Sequence, residues 1–188
     1  MAITYNDQWN DIVNRALALL GRETLANYET DESADAGLAR SFLSEAVSVC
    51  AEYFDWTFLR ECTALSQDSH TSGPYNYAYT LPSDLSRLSG VDTEGAGFEI
   101  LSGRIHTDSA TCTIRWQRNP QTPAGLSASF KQAVCHYLAY LLAKPLSGND
   151  SLKAEEYQLY LYWIDKAATD DRSWLSDNGE AWWTEEIG

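Results

Sequence analysis

The chain has 188 residues, enough for one domain or for one domain with a substantial insertion, and its 44% hydrophobic and 12% aromatic content suffices for a folded core. Its 27 acidic residues outnumber 13 basic ones, a net charge of −14, so a tight grip on nucleic acid, which needs several Lys or Arg side chains neutralising phosphates, is not expected. No apolar run approaches the roughly 20 residues of a membrane span, and the opening MAITYNDQWNDIV has neither the basic start nor the apolar stretch of a secretory leader, so synthesis in a cytoplasm is expected.

The spacing of Trp9, Ile12, Val13, Ala16, Leu17 and Leu20 predicts a helix from Asn6 to Leu20 with one buried stripe. Asn6 is its N-cap and Gly21 its left-handed terminator. A polar connector, residues 22–32, follows. Ser33 then caps a second helix to about Tyr53, with Leu38, Phe42, Ala46, Val49 and Tyr53 as its buried face and Arg40, Glu45 and Glu52 outside. Residues 56–65 turn toward extended structure.

Composition changes at Ser66. Residues 67–76, QDSHTSGPYN, are rich in turn formers and predict a loop. Short strands are expected over 77–81, 85–91, 98–101, 104–107 and 111–118. Ser102–Gly103 makes a tight hairpin turn, with Gly103 free to take positive φ. Cys112, Ile114 and Trp116 alternate with Thr113, Arg115 and Gln117, the pattern of a sheet with one buried face.

After NPQTPAG (119–125) a third helix is expected from Ser127 to Lys144, its core residues Phe130, Val134, Tyr137, Leu138, Leu141 and Leu142. Pro145 should stop it. Asn149 or Asp150 caps a fourth helix to about Asp171, with Leu152, Glu156, Leu159 and Trp163 on one face. Tyr157, Tyr160, Tyr162 and Trp163 give this helix more aromatic surface than one face buries, which makes them candidate inter-subunit residues. The last sixteen residues, SWLSDNGEAWWTEEIG, hold four acids, no base and three tryptophans. Unstructured tails are normally poor in aromatics, so Trp174, Trp182, Trp183 and Ile187 are candidate partner-docking residues.

The expected fold is therefore α+β. A helical bundle body of about four helices spans 1–65 and 126–172, a small antiparallel β-rich insertion spans 66–125, and a C-terminal docking tail spans 173–188.

Reactive chemistry is sparse in the sequence. Cys50, Cys62, Cys112 and Cys135 have no zinc spacing and are expected as free thiols. His70, His106 and His136 stand in no HxH or HExxH arrangement, and no phosphate-binding or dinucleotide glycine motif is present, so no catalytic residue, metal or cofactor is expected. Cys135 and His136 diverge as helix neighbours. Glu45, Glu52, Asp55 and Glu61 surround the aromatic run YFDWTF, which could stack on sugars between a carboxylate pair. That supplies an alternative from the enzyme class, a glycan-degrading (peptidoglycan or polysaccharide hydrolase) tail protein.

Several segments, in order, carry a resemblance: IVNRALALLG (12–21), EYFDWTF (52–58), YAYTLPSDLSRL (77–88), GRIHTD (103–108) and LAYLLAKPLSG (138–148) before a Tyr-rich helix. Over about residues 8–172 this arrangement resembles the head-to-tail adaptors of short-tailed phages, the tail tubular protein A family. The resemblance implies a non-enzymatic virion protein, made in the bacterial host cytoplasm and located in the tail or neck. It implies a homo-oligomeric ring, dodecameric in the family, docked on the portal protein and carrying the tail nozzle protein. The β insertion would reach toward the nozzle, and ejected DNA would pass through the channel without specific binding. The last sixteen residues match no motif of that family. A small regulatory or chaperone-like binding module is a third reading.

Overall fold

The computed structural model describes residues 6–68 and 74–177. In chain order it has helices α1 (Asp7–Leu19) and α2 (Ala34–Tyr53), and a short 3₁₀ turn (Thr57–Leu59). Strands β1 (Arg60–Ala64), β2 (Gln67–Asp68), β3 (Tyr77–Thr80), β4 (Leu85–Asp92), β5 (Phe98–Leu101), β6 (Arg104–Thr107) and β7 (Thr113–Arg118) follow, then helices α3 (Ala128–Ser147) and α4 (Asp150–Asp177). The class is α+β, with four helices and two small antiparallel sheets. The elements divide into a helical unit, up to Phe58 and from Pro120, and a β unit, Leu59–Asn119. Composition had put the divisions six to seven residues later. β1 pairs along its whole length with β7, so it belongs with the sheets, and Gln121 belongs to the helical unit, its carbonyl accepting from Trp9 Nε1 at 2.9 Å.

In the helical unit the caps are those the sequence offers. The side chains of Asn6, Ser33 and Ser127 accept from Gln8 N, Ala36 N and Phe130 N, and Asn149 Oδ1 accepts from Ser151 N at 3.0 Å and Leu152 N at 3.2 Å. Each removes an orphan donor from a first turn. All six residues of the α1 stripe are buried. α1 also straps the connector: Asn10 Nδ2 donates to the carbonyls of Leu25 and Ala26, and Asn10 Oδ1 accepts from Tyr28 N. Arg40 is not an outward charge, as expected, but an anchor. Its guanidinium donates to the carbonyls of Tyr28, Glu29 and Asp31, which fixes the connector from the other side.

α3 is the central helix and packs on α1, α2 and α4. The expected face of α2 is corrected here. Ala36, Ala39, Leu43, Ala46, Val47, Cys50 and Ala51 are its buried residues, whereas Leu38, Phe42 and Val49 flank that face and Tyr53 is 47% exposed. The small residues let α2 approach α3, whose Ala133, Ala139 and Ala143 are buried too. On α3, Tyr137 and Leu141 are only half-buried. Pro145 does not stop α3, which runs to Ser147 and ends at Gly148 with φ 63°. In the last turn the proline removes a single N–H donor, while Ser147 Oγ donates to Ala143 O at 2.7 Å and Gly148 N to Lys144 O at 3.1 Å. α4 extends six residues beyond its expected end. Among the described residues no helix is long and apolar enough to cross a membrane.

The β unit has one sheet in the order β1-β7-β4 and another in the order β2-β3-β6-β5. Tyr79 and Ile105 from the second sheet cluster with Cys112, Ile114 and Trp116 from β7 and the residues leading into it, so these three mark a buried face as the alternation predicts, whereas Gln117, expected on the other face, is 0% exposed as well. β5 and β6 are joined by Ser102 (φ 50°) and Gly103 (φ 74°). Positive φ at both positions is the type I′ turn that matches strand twist. β2 lies in the segment expected as loop, since two residues pairing with Tyr79 and Ala78 leave no readable alternation.

Candidate functional site

Most of the reactive groups that are described are buried. His136 on α3 and Glu156 on α4 are 8% and 3% exposed, and Nδ1 lies 2.7 Å from Oε2. The pair sits beside a groove of ≈ 390 Å³ lined by Arg15, Ala18, Leu19, Gln132, Cys135 and His136. Burial pushes the Cys135 thiol up to about 12 and raises that of Cys50 as well, so both are protonated, unreactive thiols at neutral pH. All four cysteines are free, and Cys62 is exposed. His106 is buried in β6 with Nδ1 unpartnered. His70 lies outside the described residues. Among the described residues no group of three or more His, Cys, Asp or Glu side chains could hold a metal ion.

The carboxylates around YFDWTF do not frame an open aromatic platform. Trp56 is 0% exposed. Its Nε1 donates to Cys50 O at 2.9 Å, and its ring packs on Phe54, Phe58 and Phe130 at centroid distances of 5.3, 5.4 and 5.2 Å. A ring enclosed in this way presents no face to a sugar. Glu45 and Glu52 are exposed on α2. Glu61 belongs to the β unit, where it pairs with Arg118 at 3.4 Å.

The candidate site is instead the outer surface of α4. Four tyrosines from α3 and α4 form a ring cluster: Tyr137–Tyr160 at 4.7 Å, Tyr140–Tyr157 at 5.1 Å, Tyr137–Tyr140 at 5.5 Å and Tyr157–Tyr160 at 5.8 Å. The expected inter-subunit set divides here. Tyr160 is 4% exposed and belongs to the core, and burial, with nearby Cys50 and tyrosines, raises its phenol pKa. It is withdrawn from the contact set, because a side chain enclosed by its own helices has no surface to give. Tyr157 is 38% and Tyr162 60% exposed, and Trp163 is half-buried with its ring 5.4 Å from that of Tyr162. Leu161, at 36%, continues the apolar surface.

Two neighbours were not singled out in the sequence. Tyr140 presents its ring beside Tyr157, and Lys153 Nζ lies 4.8 Å above that ring. The signal was Tyr137 and Tyr140 three residues apart, facing Tyr157 and Tyr160 with the same spacing. In the β unit Phe98, Ile100 and Leu101 are 42–44% exposed on β5, an edge strand. Trp174 falls in α4, and Trp182, Trp183 and Ile187 lie outside the described residues.

No protein-family model matches the chain, and no curated protein matches it.

Proposed function

We propose that the chain is a structural virion protein, a head-to-tail adaptor of a short-tailed phage. Its copies close into a ring, dodecameric on the family pattern, between the portal protein and the tail nozzle protein. The ring extends the channel through which the genome is ejected. The observation that carries this reading is the insertion of an antiparallel β unit between α2 and α3 of a helical unit, the arrangement implied by the order of the resembling segments. The exposed aromatic stretch of α4 supports it, because ring closure requires surfaces beyond those one copy buries. A net charge of −14 suits a wall that DNA passes without adhering. On the β unit, the β5 edge with Phe98, Ile100 and Leu101 is the surface offered to the nozzle protein.

Electron microscopy of the chain mixed with portal particles tests the proposal. The expected result is a ring of density on the portal face. A chain that stays monomeric and adds no density to the portal contradicts it.

A further inference from the structure

We infer that the aromatic face of α4 is a receptor for residues 178–188 of a neighbouring copy, so that adjacent subunits are joined by exchange of this arm. The inference rests on the ring reading in requiring a second copy, and it gives Trp182 and Trp183 a different partner from the portal.

The receptor has two parts. Tyr157 and Leu161, at 38% and 36% exposure, are one turn apart on α4 and are continued by the Tyr140 ring. Lys153, one turn before Tyr157, holds its ammonium over Tyr140 and forms no ion pair among the described residues. Lys144 and Lys166, in contrast, are engaged by Asp150 and Asp170. An aromatic shelf ending in a cation that lacks an ion pair among the described residues suits a segment that is aromatic at one point and acidic two or three residues later. Residues 178–188, NGEAWWTEEIG, have that order: Trp182 and Trp183, then Glu185 and Glu186, with no Lys or Arg.

The spacing agrees. Tyr157 and Lys153 are about 6 Å apart along the helix axis. Trp183 and Glu185 or Glu186 are about 7–11 Å apart in an extended chain. The tryptophans therefore sit on Tyr157 and Leu161 and the glutamates at Lys153, with the arm running toward the N-terminus of α4. That direction carries the acids away from Asp165 and toward the positive end of the helix dipole, where the one acid of the first turn, Asp150, is paired with Lys144. Glu155 lies about 160° round the helix from Tyr157 and does not oppose them.

Reach decides between the chain's own α4 and a neighbour's. α4 ends at Asp177. At 1.5 Å per residue Tyr157 lies about 30 Å back along the axis, and Lys153 about 36 Å. Fully extended, five residues carry Trp182 only about 18 Å from Asp177, and nine carry Glu186 about 32 Å. Reversal at the helix end uses some of that length. The arm cannot place both parts on its own receptor, whereas a neighbouring copy imposes no such limit. An arm given to the next subunit while another is received is a heterologous contact, the kind that closes rings.

The experiment uses the full chain with a benzophenone amino acid in place of Trp183, mixed as heavy-isotope and light copies in the presence of portal and irradiated. Mass spectrometry of the cross-linked peptides is expected to join position 183 to residues 153–161 or Tyr140 in mixed-isotope pairs. Lys153→Glu, at a half-buried position, should cut that yield roughly fivefold by removing one ion pair and adding repulsion. Tyr157→Glu should cut it tenfold or more. Cross-links confined to one copy, to portal alone or to another surface overturn the inference, as does their absence. Microscopy of the same sample separates the two readings. A ring seated on portal with position 183 linked elsewhere removes the arm exchange and leaves the adaptor. Exchange between copies that never seat on portal keeps the exchange and removes the adaptor.

Discussion

The buried pair of His136 and Glu156 separates a structural reading from a catalytic one by measurement. Its Nδ1 and Oε2 are 2.7 Å apart, and the two side chains are 10% and 4% exposed. Glu156→Leu removes the carboxylate and leaves an imidazole without its partner between α3 and α4. Breaking a buried pair from one side costs about 3 kcal/mol or more, while replacing both partners with well-packed apolar residues is close to neutral. His136→Leu leaves the buried Glu156 side chain without its partner and should cost about as much. At roughly 2–4 °C per kcal/mol for a chain of this size, each single variant should melt about 6–12 °C lower. The double variant should lie within about 1 kcal/mol of the parent, a coupling of about 5 kcal/mol or more.

The assay is urea unfolding of all four proteins followed by helical circular dichroism, which reports the unit holding the pair. Additive costs in the double variant, or single costs below about 1 kcal/mol, would refute the reasoning. The pair would then be open enough for water to replace either partner. In that case the groove it borders, with Arg15 and Gln132 on its rim, would need a chemical rather than a packing account.

Three further outcomes follow from the geometry. Asp171 is 6% exposed and accepts from Thr57 N at 2.9 Å and Thr57 Oγ1 at 2.6 Å. Asp171→Asn retains one acceptor oxygen for two donors and should cost about 2 kcal/mol, read as a fall of about 4–8 °C in melting temperature. In alkali, burial raises the pKa of the Cys50, Cys135 and Tyr160 side chains. The unfolded chain therefore releases these protons first, and stability, complete below about pH 9, falls as pH rises above it. Cys135, pushed up to about 12 from 9.0, should account for about 1.4 kcal/mol of the loss by pH 10. Cys135→Ala should flatten the slope of urea midpoint against pH; an unchanged slope would contradict the assignment. Ile100→Asp, at an exposed edge position, should leave stability within about 0.5 kcal/mol while abolishing capture of the nozzle protein and sparing attachment to portal, both read by co-sedimentation.

The elements whose local signals agree were legible in the sequence. Helix starts at Asn6, Ser33, Ser127 and Asn149 depend on one side chain reaching its own backbone, and the α1 stripe on a single helical period. The errors share a physical cause in packing between elements. α2 offers two stripes that share Ala46: the bulky Leu38, Phe42, Val49 and Tyr53, and the small Ala36, Ala39 and Cys50. Size suggested the first, but the second, with Leu43 and Val47, is the one α2 buries in its packing on α3. Arg40 was read outward because its partners are carbonyls of a connector whose path is not written in its composition. Pro145 was read as a stop because its rule concerns helix interiors, and here one turn remains in which a single donor is lost.

The same limit explains why the candidate site was half legible. The aromatic surplus of 157–163 is a property of the sequence, but which of its rings face outward is set by the rotation of α4 on α3. That rotation is fixed by Glu156, Tyr160, Ile164, Ala167, Ala168 and Asp171, the residues it buries. With them inside, the remainder of α4 changes character along its length. From Asp165 onward the outer positions are mainly charged or polar, as on an ordinary surface helix. Between Tyr157 and Trp163 they are Tyr157, Gln158, Leu161 and Tyr162, so all but one of the outer side chains in this stretch are aromatic or aliphatic. A helix with apolar residues on its outer as well as its inner side is suited to an interior, and the helical unit encloses only one side of this one. A single copy thus leaves about two turns of α4 in water that their composition does not suit, and contact with another chain is the arrangement that removes them from it.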